Sequence, residues 1–171
     1  MLLAIAGCAM ALELLPAPRK LYAAEVPAIY SVIAADPRPV RVLELPFGVR
    51  DGLSSLGDFT ARSQFYQTLH GKELIGGYLS RVSEKRKAFY LRDPFFRALL
   101  ALSEKRPIDA ADLPEIRVAA QRFLARSHVG YVVIDSERAI PELQPFLDDV
   151  LGRPSFVERS GSQQLYRVRE P

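Results

Sequence analysis

Tyr131-Val132-Val133-Ile134 is an unbroken apolar run rich in β-branched residues, with no polar residue interposed. A strand with one wet face alternates apolar and polar side chains, whereas a strand covered on both faces does not need to. The run therefore predicts a central strand, and a central strand requires helices to cover it. Candidates flank it on both sides. Upstream, Leu113, Ile116, Ala120, Phe123 and Leu124 fall on one face of a helix that follows Asp112. Downstream, Ile140, Leu143, Phe146, Leu147, Val150 and Leu151 make the best amphipathic pattern in the chain, with Pro141 near its start and Gly152 just past its end. Phe156-Val157 and Leu165-Tyr166-Arg167-Val168 flank Ser160-Gly161-Ser162 and read as a closing hairpin.

Toward the N-terminus the punctuation is equally regular. Asp93-Pro94 opens a helix whose Phe95, Phe96, Leu99 and Leu100 form an apolar stripe, since the aspartate accepts orphan amide protons and proline tolerates the first turn. The charged stretch Arg81 to Lys87 reads as a loop, and Leu74 to Ser80 as extended, with Gly76-Gly77 allowing close backbone approach. Asp58 caps a helix that runs to about His70 and stops at a left-handed Gly71. Gly48 to Gly57 is a loop. Val40-Arg41-Val42-Leu43-Glu44-Leu45 is a strand ended by Pro46, and Pro27 to Asp36 holds a short helix through Ile29, Val32 and Ile33. This order predicts an α/β fold: a single small domain at 21–171, a mixed sheet with helices packed on it. A right-handed crossover joins Val42–Leu45 to Tyr131–Ile134 if they run parallel.

With 171 residues, 49% of them apolar and 25% charged, the chain can bury one ordinary core and not two. Its 23 basic and 20 acidic side chains are interspersed, which argues against a nucleic-acid partner, because phosphate tracking needs a concentrated cationic face. The single cysteine, Cys8, excludes an internal disulfide and any thiolate metal cluster. His128 has no second histidine or cysteine at ligand spacing, so no metal site is expected, and no cofactor loop of the P-loop or dinucleotide type is present.

Met1 to Leu15 is apolar apart from Glu13. About twenty such residues are needed to cross a bilayer, so residues 1–20 read as an apolar leader or the end of a truncated membrane helix. Ile5-Ala6-Gly7-Cys8 matches the pattern of a lipoprotein acylation site, which gives the alternative of a free-standing, lipid-anchored envelope binding or scaffold protein.

Polar groups are densest in Gln64-Phe65-Tyr66-Gln67-Thr68-Leu69-His70-Gly71-Lys72 and in Gly76-Gly77-Tyr78-Leu79-Ser80-Arg81. On a helix Tyr66 and His70 share a face, with Gln67 one step round. Together with Lys72 and Arg81 they form a ligand-binding set suited to a sugar or sugar phosphate: flat rings with a polar edge, an amide, and positive charge. The same residue types also serve as core ring, helix-end histidine and solvated cations, and residue types alone favour that second reading. Glu44 beside Pro46 is a possible acid or base at a strand end; a capping or ion-paired carboxylate is the competing assignment.

Pro27-x-x-Tyr30, Ala35-Asp36-Pro37, Val42-Leu43-Glu44-Leu45-Pro46, Tyr66-Gln67-Thr68-x-His70-Gly71-Lys72 and Gly76-Gly77-Tyr78-x-Ser80-Arg81 resemble the C-terminal extracytoplasmic region of bacterial multi-pass membrane proteins of the GT-C glycosyltransferase type. Those enzymes draw sugar from a polyprenyl-phosphate donor. The resemblance runs from about Pro27 onward, and its most specific part is the Gln67-to-Lys72 block. It implies a membrane-associated domain on the extracytoplasmic, periplasmic face whose partners are the membrane helices of a parent protein and a glycan or polyprenyl-phosphate sugar. The superfamily's catalytic acid lies in an early loop between membrane helices, so no catalytic residue carries over to this chain. Arg19 and Lys20, directly after the apolar run, run against the positive-inside tendency for an outside location. On this resemblance the domain is accessory and not catalytic alone, and His70→Ala or Lys72→Ala is expected to weaken ligand binding with little change in melting temperature. A self-contained hydrolase built on Glu44 and His70 is the least supported alternative.

Overall fold

The computed structural model describes residues 25–168; the leader, Cys8 and the boundary near residue 20 lie outside them. The described chain is one small α/β domain. Its main sheet has five strands, β1 (Arg41–Leu45), β4 (Leu74–Ile75), β6 (Val129–Asp135), β7 (Ser155–Ser160) and β8 (Gln163–Arg167), in the order β4-β1-β6-β8-β7. β4, β1 and β6 run parallel, while β8 and β7 are antiparallel additions. As the Tyr131–Ile134 run predicts, β6 is the middle strand, and all its residues except Asp135 are buried. β1 and β6 are indeed parallel, with Val42 opposite Tyr131 and Leu45 opposite Ile134.

Period-two alternation sorts the central side chains to two faces. Val42, Tyr131, Val133 and Leu165 pack with Ile29, Tyr30 and Ile33 of α1 (Ile29–Ala35) and with Tyr66 of α2 (Ala61–His70). Leu43, Leu45, Val132 and Ile134 pack on the other side with Phe95, Phe96 and Leu99 of α4 (Pro94–Ser103), Ile116 and Ala120 of α5 (Leu113–Ser127), and Leu143, Phe146 and Leu147 of α6 (Leu143–Val150). The result is a three-layer arrangement, helices on both faces of a mostly parallel core. The start of α4 and the end of α2 fall where the sequence places its signals. Asp93 accepts the amides of Phe95 and Phe96 ahead of α4, and Gly71 closes α2 at φ 65°.

Four local expectations are corrected. Gly48 to Gly57 is not an open loop: β2 (Gly48–Arg50) and β3 (Ser55–Gly57) form a hairpin within a second, three-stranded sheet. Leu74 to Ser80 is not one extended strand. It divides into β4 in the main sheet and β5 (Gly77–Tyr78) beside β2, and Gly76 makes the break at φ 91°, where a β-carbon would lie 2.6 Å from the Gly48 carbonyl oxygen. Arg81 to Lys87 is helical from Glu84 onward, because the Ser83 hydroxyl accepts the Arg86 amide at 3.3 Å and caps α3 (Glu84–Arg92). Finally, Thr60 caps α2, and Asp58 instead pairs with Arg138 at 2.7 Å.

Candidate functional site

Ligand sites in open α/β sheets gather beyond the carboxyl ends of the parallel strands, where the chain connections part. A cleft of about 1010 Å³ lies there. Glu44, Leu45 and Pro46 come from the end of β1, and Asp135, Glu137 and Arg138 from the end of β6 and the turn after it. One wall is α2, with Thr60, Arg62, Ser63, Phe65 and Tyr66; the other is the β7–β8 turn, Ser160 to Gln163. Glu25, Val26, Pro27 and Tyr30 close the near side. That side is fastened to the turn by the Ala28 amide, which donates to the Ser160 hydroxyl at 3.1 Å.

Glu44 sits at the floor. Its position on β1 points it to the α1–α2 face, where its neighbours on the same face of the strand are apolar, and it is 7% exposed. The Tyr30 hydroxyl donates to Oε1 at 2.9 Å and reaches Oε2 at 3.2 Å, and the Ser63 hydroxyl donates to Oε2 at 3.1 Å. Burial pushes the Glu44 carboxyl up to about 7, a rise that the two hydroxyl donors oppose without overcoming. Asp135 adds to the rise and Arg138 opposes it. The competing assignment of Glu44 as an ion-paired or capping carboxylate is not what its contacts show: its partners among the described residues are hydroxyls. Burial first, and then the Glu44 charge, raises the Tyr30 phenol well above its ordinary value.

The polar block singled out in the sequence is placed next to this cleft and largely behind it. Tyr66 lines the cleft while packing its ring on Tyr30, centroids 4.5 Å apart. His70 stacks on the same Tyr30 ring at 5.8 Å and 12°, is 5% exposed, and does not line the cleft. Its Nδ1 accepts the Lys72 amide at 3.0 Å, so burial, followed by the Lys72 charge, holds the imidazole down at about 4. Gln67 donates to the Lys72 carbonyl at 3.0 Å. Lys72 reaches away from the cleft and donates through Nζ to the carbonyls of Asp36 and Arg38 at 2.6 and 2.7 Å. Arg81 lies elsewhere, on the rim of a separate groove beside β4. Tyr66, Gln67, His70 and Lys72 are thus brought together, chiefly as the join between α2 and the end of α1, and Arg81 is not part of the group.

Tyr30, Ser63, Asp135 and Arg138 escape a residue-by-residue reading. A signal was present: both apolar strand runs, 42–45 and 131–134, carry a carboxylate at or just beyond their carboxyl ends, which is where parallel pairing directs a site. Among the described residues there is no cluster of three or more His, Cys, Asp or Glu placed to hold a metal ion, and no helix is long and apolar enough to cross a membrane. In comparisons with protein-family models, curated proteins and solved structures, the chain matches none of them.

Proposed function

We propose that this chain is the accessory soluble domain of a GT-C-type, glycosyltransferase-like membrane protein, and that the cleft at the ends of β1 and β6 holds a neutral stretch of glycan. The composition of the cleft carries the proposal. Phe65, 46% exposed, and Tyr66 offer ring surface beside the Thr60 hydroxyl, while Ser160, Ser162 and Gln163 offer donors and acceptors on the opposite wall. Sugars are bound by this combination of flat apolar contact and convergent hydrogen bonding. Electrostatics narrows the ligand further. The lining has the carboxyls of Glu25, Glu44, Asp135 and Glu137 against the guanidiniums of Arg62 and Arg138, and Arg138 is already paired with Asp58. An excess of carboxylate repels phosphate, so the cleft suits an uncharged oligosaccharide better than a donor phosphate. Glu44, its carboxyl pushed up to about 7 by burial, lies at the floor of the cleft.

A panel of immobilised neutral and phosphorylated oligosaccharides tests the ligand. Retention on neutral glycans that Asp135→Asn and Gln163→Ala abolish is the expected result; retention on phosphorylated glycans alone, or on none, would sink it. The parent is tested separately by reading the frame upstream of the Met1 codon. A series of long apolar segments supports it, and an immediate in-frame stop removes it.

A further inference from the structure

We infer that the surface formed by Arg81, Lys85, Arg86 and Arg92 around the exposed side chains of Leu79 and Phe89 docks on an anionic lipid bilayer. It shares no residue with the glycan cleft and stands whether or not that cleft binds sugar.

α3 is a short helix with two unlike sides. Tyr90 turns inward, 7% exposed, with its ring 5.0 Å from Phe96 and 5.7 Å from Phe47, and so fixes the helix to the core. Phe89, the next residue, stays 49% exposed although its ring also touches Phe96. It stands on the ridge between two shallow depressions. One is shared with Leu79, Arg81 and Arg86, the other with Lys85 and Arg92. Leu79 is 48% exposed. A half-exposed phenylalanine and leucine ringed by long cationic side chains is the composition of an interfacial surface, where apolar tips enter the headgroup boundary while lysine and arginine stems keep their charges at the phosphates.

The charges on this surface are not spent internally. Lys87, the remaining cation of the helix, turns to Asp51 at 3.4 Å and Glu84 at 3.0 Å. That contact occupies Glu84, and Asp93 is occupied in capping α4. Arg81, Lys85, Arg86 and Arg92 have no ion-pair partner among the described residues. Nearby Glu73 is taken by Arg41 at 2.7 Å. The uncompensated cations lie on both sides of Phe89, which matches a plane of negative headgroups better than a single narrow acidic peptide.

The chain contains no tryptophan, so Phe89→Trp in the full chain gives a reporter local to this helix, unaffected by whatever the apolar stretch Met1–Leu15 does in every sample. Phe156→Trp, at a residue 59% exposed on the opposite edge strand β7, is the matched control. Vesicles of phosphatidylcholine with phosphatidylglycerol should shift the F89W emission to the blue and expose it to quenching by brominated lipid. Phosphatidylcholine alone should not, and the F156W emission should not move with either. Each basic side chain at a membrane surface is worth about a fivefold gain in partitioning, so adding Arg81→Gln and Arg86→Gln to F89W should weaken the effect about twenty-five-fold. Both arginines are exposed and unpaired, so this variant keeps its fold, which circular dichroism checks. No F89W shift on anionic vesicles, an equal shift on neutral ones, an equal shift in F156W, or indifference to the double substitution would each overturn the inference.

Discussion

The Tyr30 hydroxyl donates to Glu44 Oε1 across 2.9 Å, and the same Tyr30 ring carries His70 stacked at 5.8 Å. One buried tyrosine therefore joins two titratable groups whose linkages have opposite signs. Glu44 is raised from 4.5 to about 7 in the folded chain, so its contribution to stability is full below pH 4.5 and is lost as pH rises through 7. His70 is lowered from 6.5 to about 4, so its contribution is full above pH 6.5 and is lost as pH falls through 4. Between these limits the two slopes oppose each other, each amounting to roughly 3 kcal/mol over its whole window. Glu44→Gln should leave stability rising with pH between about 4 and 6.5, His70→Phe should leave it falling between about 4.5 and 7, and the parent should be flatter than either. Urea midpoints across that range decide the matter; identical pH slopes in all three proteins would refute the linkage.

Lys72 should prove structural. Its ammonium bridges the carbonyls of Asp36 and Arg38 from a partly buried position, so Lys72→Met removes charge-assisted bonds from two carbonyls and should cost about 1–3 kcal/mol. This differs from the expectation, drawn from the family resemblance, that Lys72→Ala weakens binding at nearly constant melting temperature. Thermal denaturation of the variant separates the two, a melting point within a degree or so of the parent favouring the ligand role.

Gly130 is required by close approach. A β-carbon there would lie 2.6 Å from Val40 Cβ, next to the register shift between β1 and β6 at Arg41/Val42. Gly130→Ala should destabilise by about 1–3 kcal/mol through overpacking in the middle of the sheet, measured by chemical denaturation. Gly130→Ala combined with Val40→Ala should recover part of the loss, since the second change removes the two Val40 γ-methyls at 2.7 and 2.9 Å while the Cβ contact remains.

Asp51 holds the β2–β3 turn to the chain before α3. Its carboxylate accepts the amides of Leu53 at 2.8 Å, Ser54 at 2.7 Å and Val82 at 3.0 Å, and those amides hold its pKa well below the usual carboxylate range. Asp51→Asn keeps the shape but replaces one accepting oxygen with a donor, so at least one buried amide loses its acceptor; a loss of about 1–3 kcal/mol follows. Amide hydrogen exchange at Val82 and Ser54 should accelerate in the variant. Unchanged protection there would contradict the assignment.

The sequence by itself determined those features whose causes are local. The apolar run at Tyr131–Ile134 and the signals of Asp93-Pro94 and Gly71 fix the central strand, the start of α4 and the end of α2, because a cap, a proline or a left-handed glycine acts on residues within one turn. Periodicity also told which faces of α5 and α6 are apolar. The α3 cap at Ser83 was equally local, but five charged or polar neighbours masked its helical signal until Tyr90 found Phe96 to pack against. Only the tertiary structure decided the rest. Parallel pairing of β1 with β6 sets Glu44 and Asp135 at one end of the sheet despite their distance along the chain, and α1 and α2 bring Tyr30 and Ser63 onto Glu44. The acidity of a carboxyl follows from the burial and donors that such packing creates, and neither is encoded within a few residues of it. By the same reason Lys72, a solvated cation in a linear reading, becomes a clamp only when the end of α1 is folded within its reach.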